Sequence, residues 1–227
     1  AVTITVNPLP TVSVSSTDIL CNGDATGEAT ASASSGTSPY TYLWDDPMSQ
    51  TGFAAASLIA GTYTVVVTDA NGCTTSGSAT ITEPSTPITV SISHTDVSCN
   101  GDSDGEAIVT ASGGSPSYTY NWSSGGNIDV ETNLSAGTYA VTVTDLNGCE
   151  AYSSATISEP TAISIVIDSY SDVSCYGYAD GTINTTISGG TPPYNYSWTP
   201  SGYSTEDITG LAAATHQLYV NDALGCN

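Results

Sequence analysis

A segment of sixteen residues that occurs three times constrains the fold of this chain more than any other feature. The copies are LIAGTYTVVVTDANGC at 58–73, LSAGTYAVTVTDLNGC at 134–149 and LAAATHQLYVNDALGC at 211–226. In the first copy, Tyr63, Val65 and Val67 alternate with residues of the opposite face, a pattern typical of a half-buried β-strand. The Asp-x-Asn-Gly that follows predicts a tight turn, because Asn and Gly tolerate a positive φ. Each copy is therefore predicted to be a strand, a turn and a cysteine.

The features around each copy recur in a fixed order, which predicts three tandem repeats at 11–87, 88–160 and 161–227. Each repeat has an alternating strand, a cysteine loop, a second strand, a Tyr-x-Tyr-x-Trp motif, a segment of variable length and then the sixteen-residue segment. From the first cysteine to the first tyrosine of the motif there are 19 residues in every copy. Residues 1–10 are predicted to be the last strand of a preceding repeat, and the third repeat is predicted to lack its final strand.

Short strands at regular spacing, with no sustained helical periodicity, are typical of small β-sandwiches. We therefore predict an all-β fold of tandem immunoglobulin-like antiparallel β-sandwich repeats, arranged head to tail. The prolines of the linkers, Pro84, Pro87 and Pro160, restrict bending between repeats. The variable segment, roughly 45–57, 123–133 and 199–210, is predicted to hold a short edge strand and an exposed loop.

The charge of the chain excludes one class of partner and disfavours another. It carries 22 Asp and Glu residues and no Lys or Arg, for a formal net charge of −22. Phosphate backbones are repelled by such a surface, so nucleic acid is excluded as a partner. Anionic membrane surfaces are disfavoured for the same reason, which leaves membrane attachment to other parts of a parent protein. Without basic residues, the fold must rely on apolar packing, backbone hydrogen bonds and covalent links.

The cysteines occur two to a repeat, which predicts disulfides and an oxidising, extracellular compartment. Six antiparallel strands per repeat would place both cysteine-bearing connections at the same end of the sandwich. This predicts bonds within each repeat, with no free thiol: Cys21–Cys73, Cys99–Cys149 and Cys175–Cys226. The alternative pairs cysteines across the linkers, as Cys73–Cys99 and Cys149–Cys175. Those cysteines would then lie at far ends of neighbouring domains, beyond the reach of a disulfide.

The Tyr-x-Tyr-x-Trp motif has two interpretations. Side chains alternate along a strand, so the aromatic residues of each motif share one face. They could form a platform on which sugar rings stack, or the tryptophan could fill the core of the sandwich while the tyrosines pack above it. One set in every repeat at constant spacing favours the core, and the residues concerned are Trp44, Trp122, Trp198, Tyr42, Tyr120 and Tyr196.

Acidic residues and asparagines recur in the turns next to the cysteines. Carboxylate and amide oxygens are calcium ligands, and these groups would converge if both cysteine loops lay at one end of a repeat. Ordinary turn chemistry explains the same residues and is the favoured interpretation, with calcium as a cofactor the alternative. The calcium candidates are Asp24, Asp69, Asn71, Asp102, Asp104, Asp145 and Asn147.

No catalytic constellation recurs among the repeats. The only histidines are His94 and His216, which occupy different positions in different repeats, and His216 stands where the other copies have a tyrosine. A serine or cysteine nucleophile therefore has no recurring base to activate it. The sequence predicts a protein that is not an enzyme.

Taken together, these motifs resemble a known family of repeats. The order G-G-x-P-x-Y-x-Y-x-W, then L-x-A-G-T-Y-x-V-x-V-T-D-x-N-G-C and T-I-x-E-P, resembles the SprB repeat of cell-surface adhesins of gliding Bacteroidetes. The third copy departs from the pattern at Ala214, His216 and Leu224. The resemblance implies export by the type IX secretion system, display on the outer membrane as motile filaments, and adhesion to surfaces and polysaccharides.

Two classes of function follow. In the first, the repeats form the stalk of an adhesin and set its reach and stiffness, with neighbouring repeats of the same chain as partners. In the second, each repeat is a lectin-like unit that binds surface polysaccharide. Buried tryptophans and tyrosines in all three repeats would favour the stalk, and a solvent-facing strip of aromatic residues would favour the lectin.

Overall fold

The computed structural model describes residues 2, 4 and 6–227, and its regular structure is a series of seventeen β-strands. The first repeat holds six of them: β1 (Pro10–Thr17), β2 (Gly27–Ser35), β3 (Thr41–Trp44), β4 (Ala54–Leu58), β5 (Gly61–Thr68) and β6 (Thr74–Ile81). Within the described ranges, no helix is long and apolar enough to cross a membrane.

The first repeat is a sandwich of two antiparallel three-stranded sheets. One sheet has the order β1-β2-β4 and the other β3-β5-β6. Alternate residues of β5, namely Tyr63, Val65 and Val67, are buried as the alternation predicts. They meet Trp44 and residues of the opposite sheet in one apolar core. The predicted period of two is confirmed for this strand.

The strands β3 and β4 together make a single crossing of the sandwich. β3 pairs with only half of β5, from Thr41 opposite Thr68 to Trp44 opposite Val65. The chain then changes sheets and continues as β4, which pairs with β2 and ends with Leu58 opposite Gly27. Six strands therefore make five crossings, and the connection that carries Cys73 lies at the opposite end from the one that carries Cys21.

The second repeat has six strands in the same order along the chain. Its sheets have the orders β10-β8-β7 and β12-β11-β9. The bounds are β7 (Thr89–Thr95), β8 (Gly105–Ser112), β9 (Thr119–Trp122), β10 (Val130–Leu134), β11 (Gly137–Thr144) and β12 (Glu150–Ile157).

The third repeat has five described strands: β13 (Ser164–Ser171), β14 (Gly181–Ser188), β15 (Asn195–Thr199), β16 (Ile208–Leu211) and β17 (Gln217–Asn221). The sheet β13-β14-β16 matches its counterparts, whereas β15 and β17 form a sheet of two strands. In the first repeat, β6 packs across β1, and Gly77 approaches Val12 and Val14. The corresponding Ile165 and Ile167 on β13 are exposed, because none of the described strands covers them.

The chain forms two compact units, and the borders between them fall within the second repeat. The first unit comprises 1–91, 110–120 and 142–152, and the second comprises 92–109, 121–141 and 153–227. Each unit thus combines one end of the second repeat with a neighbouring repeat. The predicted repeat boundaries remain a proposal based on the sequence.

The prediction of an all-β, antiparallel fold is confirmed. The predicted short strand in the variable segment is present in each repeat as β4, β10 and β16. The strand predicted at 1–10 falls in part on residues 1, 3 and 5, which lie outside the described residues.

Candidate functional site: the disulfides between repeats

The disulfides join consecutive repeats. Cys21 of the first repeat is bonded to Cys149 of the second, and Cys99 of the second is bonded to Cys226 of the third. The Cα atoms are 5.6 and 5.5 Å apart. Cys73 and Cys175 have free thiols.

The prediction of disulfides within each repeat is therefore wrong, and so is the alternative across the linkers. Three pairs were predicted within repeats: Cys21–Cys73, Cys99–Cys149 and Cys175–Cys226. The rule in the structure is different, because the first cysteine of one repeat bonds to the second cysteine of the next. The prediction of no free thiol is wrong for Cys73 and Cys175.

The physical reason is that the two cysteines of a repeat lie at opposite ends of the sandwich. Cys73 immediately precedes β6, whereas the Cys21 loop lies at the other end of that strand, where Ile19 donates its N–H to the carbonyl of Thr82. A strand of eight residues spans roughly 26 Å. A disulfide requires Cα atoms within about 7 Å. Cys21 and Cys73 therefore cannot bond to each other.

The first cysteine of each bonded pair lies in a loop that is anchored to the end of its own repeat. The N–H of Gly23 donates to Glu83 at 2.6 Å, and the side-chain amide of Asn22 donates to the carbonyl of Pro84 at 2.7 Å. The second repeat repeats both contacts, from Gly101 to Glu159 at 2.7 Å and from Asn100 to Pro160 at 3.0 Å. The Cys-Asn-Gly loop is thus held against the Glu-Pro that begins each linker.

The second cysteine of each bonded pair is held by a buried aspartate. In the second repeat, Asp145 Oδ1 accepts the N–H groups of Asn147 and Cys149 at 2.9 Å, and Oδ2 accepts the N–H of Ser115 at 2.8 Å. In the third repeat, Asp222 Oδ1 accepts the N–H of Cys226 at 2.9 Å. Such aspartate-centred turns fix the backbone locally. The cysteine is therefore presented in a defined position.

The electrostatics of these aspartates follow from their hydrogen bonds. Burial alone would raise the pKa of Asp145, but the N–H groups of Ser115, Cys149 and Asn147 stabilise its charged form and lower the pKa overall. The pKa of Asp222 is lowered by the same balance, with Thr191 in place of Ser115. For Asp69, the N–H of Thr37 makes the largest contribution to a lowered pKa. All three carboxylates are therefore charged at neutral pH.

Contacts next to the sulfur atoms are the same at both bonds. Cys149 Sγ lies 3.4 Å from the carbonyl oxygen of Leu20, the residue before its disulfide partner. Cys226 Sγ lies 3.4 Å from the carbonyl oxygen of Ser98, which again precedes the partner. At the first bond, the side-chain amide of Asn147 also donates to the Leu20 carbonyl at 3.1 Å. The corresponding residue at the second bond is Leu224, which has no amide to donate.

The tryptophan of each Tyr-x-Tyr-x-Trp motif lies in the core of its sandwich, as the second interpretation predicted. Trp44, Trp122 and Trp198 are buried, with at most 3% of their surface exposed. Each indole N–H donates to a backbone carbonyl: of Gly52 at 3.0 Å, of Ile128 at 2.8 Å and of Thr205 at 3.0 Å. The tyrosines Tyr42, Tyr120 and Tyr196 are half-buried. The recurring motif therefore offers no exposed tryptophan face for a sugar ring.

The calcium candidates do not converge within a repeat. Asp24 lies in the loop of Cys21, whereas Asp69 and Asn71 lie in the turn at the other end of the sandwich. The carboxylates of Asp69, Asp145 and Asp104 accept backbone N–H groups, from Cys73, Cys149 and Ser98 respectively. Asn147 donates its own N–H to Asp145 Oδ1. No group of three or more His, Cys, Asp or Glu residues suited to a metal ion occurs in the described part of the chain. The predicted convergence of Asp102 with Asp145 at one end of the repeat fails for the same reason as the predicted disulfides.

Sequence reasoning missed the residues that anchor the first cysteine. The sequence analysis assigns no role to Glu83 and Glu159, although each carboxylate accepts the N–H of the glycine of its Cys-Asn-Gly loop. The signal was available: Cys-Asn-Gly and Glu-Pro occur together in the first two repeats, and the third has Tyr176 in place of the asparagine.

The geometry defines a class of protein, an array of small β-sandwiches in which disulfides join each repeat to the next. The SprB repeat family model matches the chain three times, at 13–49, 91–127 and 168–202. The three matches, one in each repeat, are consistent with SprB-type repeats. A search of curated proteins found no match.

Among solved structures, the chain is similar to one described as a tetra-tandem repeat in the extending region of a large adhesion protein. The identity is 15% and the TM-score 0.26, and the alignment covers 96% of this chain and 64% of that one. The chain thus spans less than two thirds of the structure it matches.

Proposed function

We propose that this chain is part of the stalk of a large cell-surface adhesin, in which the repeats set reach and stiffness and have no catalytic role. The observation that carries the proposal is the pair of disulfides between consecutive repeats. Covalent bonds between neighbouring repeats carry tension along an array, which suits a stalk that transmits force.

The covalent path under tension supports this role. If the chain is pulled from its ends, the shortest path enters at Cys21, crosses to Cys149, follows the chain back to Cys99 and crosses to Cys226. The linkers with their prolines lie outside this path. Local unfolding of a linker therefore cannot lengthen the stalk while the bonds are intact.

The buried tryptophans argue against the lectin interpretation. Each tryptophan is fixed in the core by an indole hydrogen bond, so the motif that recurs in every repeat serves packing. The absence of Lys and Arg leaves 22 carboxylates without basic partners. Their mutual repulsion favours an extended arrangement of repeats.

The family resemblance supplies the finer proposal. The parent protein is an adhesin of gliding motility, exported by the type IX system and attached at the outer membrane as a filament. Its partners are the neighbouring repeats and, through other parts of the protein, surface polysaccharide.

Small-angle X-ray scattering tests the stalk. Strands of eight residues span roughly 26 Å, so three repeats in line should exceed about 75 Å. A compact chain of this length would have a radius of gyration near 17 Å. We expect a clearly larger radius at both low and high salt, because screening removes charge repulsion but leaves the disulfides intact. A value near 17 Å at both salts would contradict the proposal.

A further inference from the structure

We infer that Gln50 caps the open edge of β4 and so prevents the β4 strand of a second copy of this chain from pairing there. The inference concerns contacts between chains and goes beyond the stalk proposed above. Three observations carry it: the two hydrogen bonds from Gln50 to β4, the buried aspartate that holds Gln50 in place, and the distribution of charge on the edge strands of the three repeats.

The strand β4 lies at the edge of its sheet. The order is β1-β2-β4, so only one side of β4 has a partner strand. Successive residues of an antiparallel strand direct their N–H and C=O groups alternately towards the partner and away from it. Ala55 lies opposite Ala29 of β2, and the next residue, Ala56, directs its backbone groups outward. Such outward groups are a template for pairing with another chain.

Gln50 binds both outward groups of Ala56. Its Oε1 accepts the N–H of Ala56 at 3.1 Å, and its Nε2 donates to the carbonyl of Ala56 at 3.0 Å. A residue of a neighbouring strand makes the same pair of contacts in an antiparallel sheet. The side-chain amide therefore takes the place of a further strand at this position.

Asp46 fixes the position and the orientation of this amide. Asp46 is 2% exposed, its Oδ1 accepts the backbone N–H of Gln50 at 2.9 Å, and its Oδ2 accepts Nε2 of Gln50 at 3.1 Å. Burial raises the pKa of Asp46, but hydrogen bonds from Gln50 and Met48 lower it overall, so the carboxylate is ionised at neutral pH. An ionised carboxylate only accepts hydrogen bonds, so the amide turns its nitrogen towards Asp46 and its oxygen towards the N–H of Ala56.

The cap occurs in the repeat whose edge strand lacks other protection. The strand β4, AAASL, has no charged residue. In the second repeat the corresponding β10 carries Glu131, and in the third β16 has only four residues and directly follows Asp207. Charge and short length both disfavour pairing at an edge. Neither of the variable segments 123–133 and 199–210 contains a glutamine.

The test is to remove the cap and to measure self-association by sedimentation. The free thiols are first alkylated, so that disulfides cannot link the chains, and high salt screens the repulsion between them. Wild type should be a monomer of 23.0 kDa. Gln50→Met keeps the length of the side chain but makes neither hydrogen bond to Ala56, and it should form dimers of twice that mass. Gln217→Met, the same change at the exposed glutamine of β17, should stay monomeric.

A second substitution shows which edge the dimer uses. Ala56→Pro removes the outward N–H of β4, a change that an edge strand tolerates. Added to Gln50→Met, it should restore the monomer. A dimer that persists would show association through another surface and would overturn the inference. A monomeric Gln50→Met or a dimeric Gln217→Met would overturn it as well.

Hydrogen exchange of the wild type, followed by NMR, tests the cap without any mutation. Thr132 stands in β10 where Ala56 stands in β4, two residues before the final leucine, and has no glutamine beside it. Relative to unfolded rates, the amide of Ala56 should be protected roughly fivefold more than that of Thr132. Equal protection of the two amides would show that Gln50 does not hold the edge, whether or not the variants fold.

Discussion

The carboxylate of Asp145 accepts the backbone N–H of Cys149 at 2.9 Å and so fixes one half of the bond between the first and second repeats. The same contact recurs from Asp222 to Cys226 and from Asp69 to Cys73. The charged aspartate thus holds both the turn and the cysteine in place. Removing the charge, by acid or by mutation, tests this role.

Acid should lower the stability of the fold by protonating Asp145. The pKa of Asp145 is lowered by its backbone hydrogen bonds, with burial acting against them. A lowered pKa in the folded state gives stability that is complete above the unfolded value, near 4, and is lost as the pH falls through the folded value. We expect Asp145→Asn to lower the melting temperature at pH 7 and to flatten its fall below about pH 4. Asp102→Asn, at an exposed carboxylate of the same repeat, is the control and should leave the melting temperature almost unchanged. An equal effect of both changes would contradict the role of Asp145.

Two glycines are predicted to be intolerant of any side chain, whereas their counterpart is more tolerant. A Cβ on Gly27 would lie 2.8 Å from a methyl group of Ile81, and a Cβ on Gly105 would lie 2.8 Å from a methyl group of Ile157. At Gly181 the nearest atoms are 3.1 Å away or more, and no isoleucine stands there.

Alanine at Gly27 or Gly105 should therefore cost about 1–3 kcal/mol of stability, as overpacking of a core does. Gly181→Ala should cost less. Hydrogen exchange followed by mass spectrometry resolves the repeats and measures each change locally. Equal loss of protection at all three positions would show that the isoleucines are not the cause.

A third prediction concerns His216, which replaces the tyrosine of the other repeats. The hydroxyls of Tyr63 and Tyr139 donate to the carbonyls of Ile59 at 3.1 Å and Ser135 at 3.0 Å. His216 Nε2 lies 3.1 Å from the carbonyl of Ala212, and its buried Nδ1 has no hydrogen-bond partner among the described residues.

Replacing His216 with tyrosine should stabilise the third repeat by about 0.5–2 kcal/mol, the range for filling a defect in a native core. Hydrogen exchange should show greater protection of β16 and β17 only. The reverse change, Tyr63→His, should reduce protection in the first repeat. Lower protection in His216→Tyr would show that the histidine is the better fit.

The disulfides should limit how far the unfolded chain can be stretched. With both bonds intact, the path between the ends contains the 20 peptide units before Cys21, the 50 between Cys99 and Cys149 and the one after Cys226. At about 3.5 Å per residue, its contour is about 250 Å, compared with about 790 Å for the reduced chain. Single-molecule stretching with and without reductant measures the difference. A contour that does not change on reduction would contradict the bonds between repeats.

The sequence was sufficient for the elements and the core, because both depend on local alternation. Alternation in β5 placed Val65 and Val67 in the core, and the constant spacing of the aromatic motif placed Trp44 there. The disulfide pairing was beyond such reasoning, because it depends on how many times the chain crosses the sandwich. The change of sheets between Trp44 and Ala54 turns six strands into five crossings, and no periodicity in the sequence marks it. The same error led to the prediction that Asp24 and Asp69 lie at one end of the repeat.

The most direct test of the account is the disulfide map of the native protein. The chain has no Lys or Arg for trypsin to cleave, so the free thiols are alkylated and the unreduced protein is digested at its acidic residues. The account predicts alkylated Cys73 and Cys175, with cross-linked peptides that join Cys21 to Cys149 and Cys99 to Cys226. Peptides that join Cys21 to Cys73 or Cys99 to Cys149 would contradict it.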